Sequence, residues 1–158
     1  MRLLCDEMLK GLARWLRAAG HDTELAADGE ADRKLITRAR NDERLLLSRD
    51  RKLLEHRDGD QVVCLLECNS VDSCARELTI KTGIDWLYKP FSRCLVCNTP
   101  LEDLPSGDYR EIPDDVKNSP LLYCPSCQRI YWEGGHVQRM RQRLEEWAKI
   151  PAAPDYAD

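Results

Sequence analysis

The sequence predicts an α/β protein in which a four-stranded, mainly parallel sheet precedes a small zinc-binding ribbon and a C-terminal helix. Three observations carry that expectation. Short apolar runs of strand length alternate with segments whose apolar residues recur at helical spacing, the pattern of a parallel sheet with right-handed crossovers. After Lys89-Pro90 the alternation stops and the composition changes. Beyond that point lie two C-x-x-C pairs, Cys94/Cys97 and Cys124/Cys127, whose four thiolates match tetrahedral zinc. The expected organisation is therefore residues 1–90 as the sheet domain, 91–150 as the ribbon with its helix, and 151–158 as a loose tail.

The first strand is expected at Arg2–Cys5, ending in Asp6-Glu7. Met8, Leu12, Trp15, Leu16 and Ala19 then form one apolar helical stripe. Lys10, Arg14 and Arg17 fall on another face, and Gly20 suits the C′ position. Thr23–Ala27 reads as strand two. The acidic turn Asp28 to Asp32 opens a helix from Asp32 to Asn41, with Leu35, Ile36 and Ala39 inward; acidic residues in a first turn are favoured by the helix dipole alone. Leu45–Leu47 is strand three, too short for a buried helix and suited to a strand covered on both faces. A short helical pattern starts at Arg51 and ends in the turn cluster Arg57-Asp58-Gly59-Asp60. Gln61–Leu66 is strand four, Ser70 caps a helix to about Lys81, and Gly83 ends it.

In the ribbon, the stretch between the C-x-x-C pairs is rich in Pro, Asp and Gly and cannot build a core alone, so metal binding would supply its folding energy. A redox-active C-x-x-C is the rival reading, but it predicts one pair on a helix after a strand. Four coordinated sulfurs close the site, which makes the zinc structural. The other cysteines, Cys5, Cys64, Cys68 and Cys74, lie in or beside apolar segments and read as buried free thiols. His136 reads as a cap or a packed ring. The final helix carries Val137, Met140, Leu144 and Trp147 on one stripe and Arg139, Arg141 and Arg143 outside it.

The 158 residues are 42% hydrophobic and 33% charged with a net charge of −4. This composition excludes a disordered chain and a generically basic nucleic-acid binder. No apolar run is long enough to span a membrane and no secretory signal pattern appears, so the cytoplasm is the expected compartment and the eight cysteines read as metal ligands rather than a disulfide framework.

Side chains beyond the carboxyl ends of parallel strands line the ligand crevice. Asp6 follows strand one, Asp28 to Asp32 follow strand two, and Asp50 follows strand three. Asp50 or Ser48 could instead simply cap the next helix. Gathered carboxylates repel unless neutralised, and Mg²⁺ or Mn²⁺ are the guests their oxygens favour. Such an ion permits phosphodiester hydrolysis without demanding it. No Gly-rich phosphate loop or nucleophile elbow is present.

The stretch from Leu3 to Asp22, the run Leu45 to Leu53, the paired C-x-x-C knuckles and Tyr131-Trp-Glu-Gly-Gly-His136 resemble the Mut7-C family, which joins a PIN-like RNase domain to a C-terminal zinc ribbon. The resemblance implies a three-layer PIN-like fold and metal-dependent RNA cleavage. It places Asp6 at the first acidic position, Ser48-Arg49-Asp50 at the S/T-x-D signature, and Asp32 at the middle acid with Asp28 in reserve. After strand four the chain reads Glu67-Cys68-Asn69, a departure from a clear fourth acid. Asp6, Asp32 and Asp50 are thus the expected ligands of the catalytic Mg²⁺ or Mn²⁺. Lys10, Arg14, Arg17, Arg49 and Arg51 are expected to hold the RNA backbone, with secondary contacts from Arg139 and Arg143. Two other readings compete: a non-catalytic RNA- or protein-binding module, and a phosphoacceptor receiver domain, against which the strand count speaks.

Overall fold

The structure, a computed structural model, describes residues 1–154, so residues 155–158 of the expected tail lie outside the described residues. Four parallel strands, β1 (Arg2–Cys5), β2 (Asp22–Leu25), β3 (Leu45–Ser48) and β4 (Val63–Leu65), form one sheet in the order β2-β1-β3-β4. A receiver needs a fifth strand, and none is present in this sheet. Four helices connect or follow the strands: α1 (Lys10–Ala18), α2 (Asp32–Asn41), α3 (Gly59–Val62) and α4 (Val71–Thr82). Strand two ends earlier than its sequence implies, and the first residues expected in strand four wind instead into α3.

Side-chain alternation along β1 and β3 divides the interior into two layers. Leu3, Cys5 and Leu47 face a cluster with Leu12 and Leu16 of α1 and Leu78 of α4. Leu4 and Leu46 face Leu35, Ile36 and Ala39 of α2 together with Leu53. The apolar runs are covered on both faces, as a parallel sheet requires. Gly20 ends α1 at φ +95°, and a Cβ there would lie 2.3 Å from the Lys89 carbonyl oxygen. Only glycine fits both constraints. Ser70 caps α4 and Gly83 terminates it in the left-handed region.

The ribbon follows as an antiparallel sheet of β5 (Glu102–Asp103), β6 (Leu121–Tyr123) and β7 (Ile130–Trp132), and α5 (Gly135–Ala148) returns to the first layer. Met140, Leu144 and Trp147 of α5 join the core cluster built on Leu3 and Leu16. Trp147 sits edge-on to both Trp15 and Trp86, with ring centroids 4.9 Å away in each case. Such aromatic pairs add about 0.5–1.5 kcal/mol each beyond area burial. The apolar stripe of α5 therefore ties the end of the ribbon to the sheet layer. Ala153 N–H donates to the Ile80 carbonyl at 3.3 Å, so the start of the expected tail touches α4. No helix among the described residues is long and apolar enough to cross a membrane.

His21, between α1 and β2, is buried and its Nε2 lies 2.7 Å from the Asp85 carbonyl oxygen. A carbonyl accepts only, so the ring donates there. Burial pushes the imidazole below its ordinary pKa, and the bond to Asp85 opposes this only in part. A histidine held neutral stabilises the fold fully above its unfolded pKa of about 6.5, and that contribution is lost as pH falls below it. The thermal midpoint is expected to drop between pH 7.5 and 5.5, and to drop less in His21→Asn. An equal pH dependence in both proteins would contradict this assignment.

Two cysteines depart from expectation. Cys68 and Cys74 form a disulfide with Cα atoms 4.9 Å apart, rather than two buried free thiols. Cys68 lies three residues past the end of β4 and Cys74 in the first half of α4, so the turn between them folds one sulfur onto the other within bridging distance. Cys5 and Cys64 are free.

Candidate functional site

Asp6 and Asp50 leave the carboxyl ends of neighbouring strands, and Asp32 opens the helix after β2. All three line one cleft of about 80 Å³, together with Glu7 and Glu30. Parallel register forces the gathering, because Cys5 pairs with Leu47 on one side and Leu25 on the other. Helix capping is also satisfied. Asp6 accepts from Met8 N–H at 2.9 Å and Asp50 from Lys52 N–H at 2.9 Å, each starting a short 3₁₀ turn.

The caps do not exhaust these residues. Asp6 is buried, and its second oxygen accepts from the Ser48 hydroxyl. Ser48 Oγ in turn accepts from Asp50 N–H at 3.0 Å. Ser48, fully buried, thus couples the two aspartates and sets their orientation. Asp32 is half-buried, with its carboxylate 3.5 Å from His56 Nε2. Among the described residues the three carboxylates do not converge as tightly as the ribbon's sulfurs, whose donor atoms alone form a close group. Oxygen donors spaced in a small cleft suit a hard cation that keeps several of its waters.

In the ribbon, Cys94, Cys97, Cys124 and Cys127 bring their sulfurs within 4.8 Å of one another and can hold a metal ion. Two equivalent turns place them. Asn98 N–H donates to the Cys94 carbonyl at 3.0 Å and Gln128 N–H to that of Cys124 at 2.8 Å. Asn98 and Gln128 both adopt positive φ, 71° and 61°, which lets each chain fold back over its own cysteine pair. An all-sulfur set of four suits zinc and leaves no open position. Burial alone would raise the Cys94 thiol. Hydrogen bonds from the Tyr131 hydroxyl, at 3.1 Å, and from backbone N–H groups outweigh it and bring the thiol down to about 6. Tyr131 is a supporting residue that spacing alone did not reveal.

The five bases expected around the acidic crevice meet different fates. Arg17 is not available to RNA: it is buried and donates to the carbonyls of Thr23 at 2.8 Å, Leu95 at 3.2 Å and Val96 at 2.9 Å. Its guanidinium thereby ties the carbonyls of the first C-x-x-C turn to α1. Asn98 completes this seam by bonding Asp22 and Thr23 at 2.7 and 2.9 Å. Lys10 pairs with Asp28 at 3.2 Å, and Arg51 pairs with Glu67. Arg49 donates to the Cys68 carbonyl at 3.1 Å. Arg14 is exposed, 3.3 Å from His136 Nε2. His136 is itself exposed in the first turn of α5, neither the cap nor a packed ring. Of the secondary pair, Arg143 is engaged by Asp72 and Arg139 is exposed.

Residues 1–144 match the Mut7-C RNAse domain model. The chain belongs to this family. It is also 43% identical over 162 residues to the human protein "Exonuclease mut-7 homolog", an alignment covering 98% of the chain and 17% of that protein. The Mut7-C chain described here thus spans under a fifth of that relative's length. No solved structure matches it. Family membership places the molecule among RNase domains. The order of the sheet, the acidic cleft at its carboxyl edge and the four-cysteine ribbon agree with a PIN-like domain carrying a zinc ribbon.

Proposed function

We propose that this Mut7-C chain hydrolyses RNA phosphodiester bonds with Mg²⁺ or Mn²⁺ held by Asp6, Asp32 and Asp50. The observation that supports the reading most is the meeting of these carboxylates in one cleft at the carboxyl ends of β1 and β3. Bound there, the ion would make a water more acidic and stabilise the departing oxygen. Ser48 keeps Asp6 aimed into the cleft by donating its hydroxyl to the carboxylate. The zinc ribbon holds its shape through Cys94, Cys97, Cys124 and Cys127, and Arg17 and Asn98 fix it to the sheet. Lys10, Arg14, Arg49 and Arg51 remain near the RNA path; the two that are ion-paired at the surface can exchange their carboxylates for phosphates at small cost, because exposed pairs contribute about 0–1 kcal/mol.

The test is cleavage of an end-labelled single-stranded RNA by dialysed protein, with and without added Mg²⁺ or Mn²⁺. Cleavage is expected only when an ion is added. Undiminished cleavage without it, or none with either ion, would overturn the reading.

A further inference from the structure

A second cleft, of about 450 Å³, runs beside the acidic one and is lined by Arg33, Arg40, His56 and Arg57, with Asp58 its one carboxylate. Its wall is the exposed face of α2, opposite Leu35 and Ala39. From Arg33 to Arg40 this wall extends about 10 Å at 1.5 Å per residue. Arg40 is paired with Asp58 at 2.8 Å. Arg33 and Arg57 are exposed, and no carboxylate among the described residues pairs with either. In a protein of net charge −4, unpaired arginines facing one concave surface are not required by packing.

The two clefts are joined. His56 lines the basic one, and its Nε2 lies 3.5 Å from the carboxylate of Asp32, which lines the acidic one. Leu53, the buried residue of the 3₁₀ turn Arg51–Glu55, lines the acidic side. A polyanion held by Arg33 and Arg57 would therefore be led along α2 to the carboxylates. The acidic cleft alone repels phosphate, so a neighbouring cationic seat is what a nuclease centre of this charge needs.

The geometry points to this cleft as the seat of the phosphate backbone of single-stranded RNA flanking the bond to be cut, with Arg33 and Arg57 as the principal contacts. The inference rests on the nuclease reading for its ligand but not for its test. Guanidinium groups suit phosphate because they present paired donors in a fixed plane. The open, concave shape suits a flexible strand, and the contacts carry no base information.

Binding of a fluorescein-labelled single-stranded RNA is measured by anisotropy in divalent-free buffer, across a range of salt, so that cleavage plays no part. Arg33→Ala with Arg57→Ala is compared with wild type and with a control that removes two exposed arginines elsewhere, Arg76→Ala with Arg110→Ala. Zinc content and melting temperature establish that each variant is folded; Arg57→Gln alone serves if the double variant is not. The double variant is expected to bind about tenfold more weakly, with a salt slope flatter by about 1.4, the value for two phosphates on a single strand. The control should change affinity less than about twofold. Binding unchanged in the double variant, an equal loss in the control, or no binding by wild type would each overturn the assignment. Should RNA cleavage fail while binding still depends on Arg33 and Arg57, the nuclease reading falls and the cleft stands. Cleavage that persists while binding ignores both arginines removes the cleft alone.

Discussion

Replacing Cys124 with Ser is expected to leave the protein with far less than one equivalent of zinc and to lower its melting temperature by about 10 °C or more. Three sulfurs and a hydroxyl bind zinc much less tightly than four sulfurs, and the residues of β5, β6 and β7 are half-buried or exposed, so these strands supply no closed core of their own. Structural zinc sites in small modules supply on the order of 10 kcal/mol of folding free energy, of which several kcal/mol would be lost here. The damage should spread beyond the ribbon. Arg17 is buried under the first knuckle and donates to Leu95 and Val96, so loss of those carbonyls leaves a buried charge short of partners. Elemental analysis, thermal melts and limited proteolysis read the outcome, with new cuts expected between residues 97 and 134. Full zinc occupancy and an unchanged melt in the variant would contradict the assignment of the four cysteines.

Asp6→Asn is expected to cut RNA cleavage at least about 100-fold while the protein still folds. The amide oxygen can go on accepting from Met8 N–H, and the cap survives. What disappears is the charge. The amide's nitrogen cannot accept from the Ser48 hydroxyl as the carboxylate oxygen does, and a neutral side chain is a poor ligand for a divalent ion. A change of about 1–2 kcal/mol in stability is consistent with rearranging one buried hydrogen bond. Melting temperature and zinc content, measured on the same preparation, separate this outcome from unfolding.

Much of the fold is legible because it is local. The Leu45–Leu47 run has no polar residue to place on a solvated face, so it reads as a strand covered on both sides, and it is one. Ser70, Gly20 and Gly83 mark helix ends with chemistry that tolerates few substitutes. Asp32 and Asn41 bound α2 where the acidic turn and the apolar stripe place them. The double C-x-x-C spacing likewise contains its own geometry, because each pair wraps one edge of a single ion.

What remained hidden depends on distant partners. Arg17 shares helical spacing with Lys10 and Arg14, yet it is buried because carbonyls 78 and 79 residues away lie over it. Periodicity describes a helix in isolation and cannot report such a neighbour. The bond between Cys68 and Cys74 depends on how tightly the turn after β4 closes, which composition does not fix. Arg33 and Arg57 lie 24 positions apart in the sequence, and only the packing of α2 against the segment after β3 brings them to one cleft.

Cutting of RNA by the carboxylates at the carboxyl edge of the sheet makes cleavage depend on Asp6 and Asp50. That dependence is tested most directly by the initial rate of RNA cleavage at equal Mg²⁺ for wild type, Asp6→Asn and Asp50→Asn, purified in parallel and matched for zinc content. Measurable cleavage by wild type and a loss of about 100-fold or more in each variant is the expected result. Equal rates in all three proteins would contradict it, because cleavage would then arise elsewhere in the chain or in a contaminant.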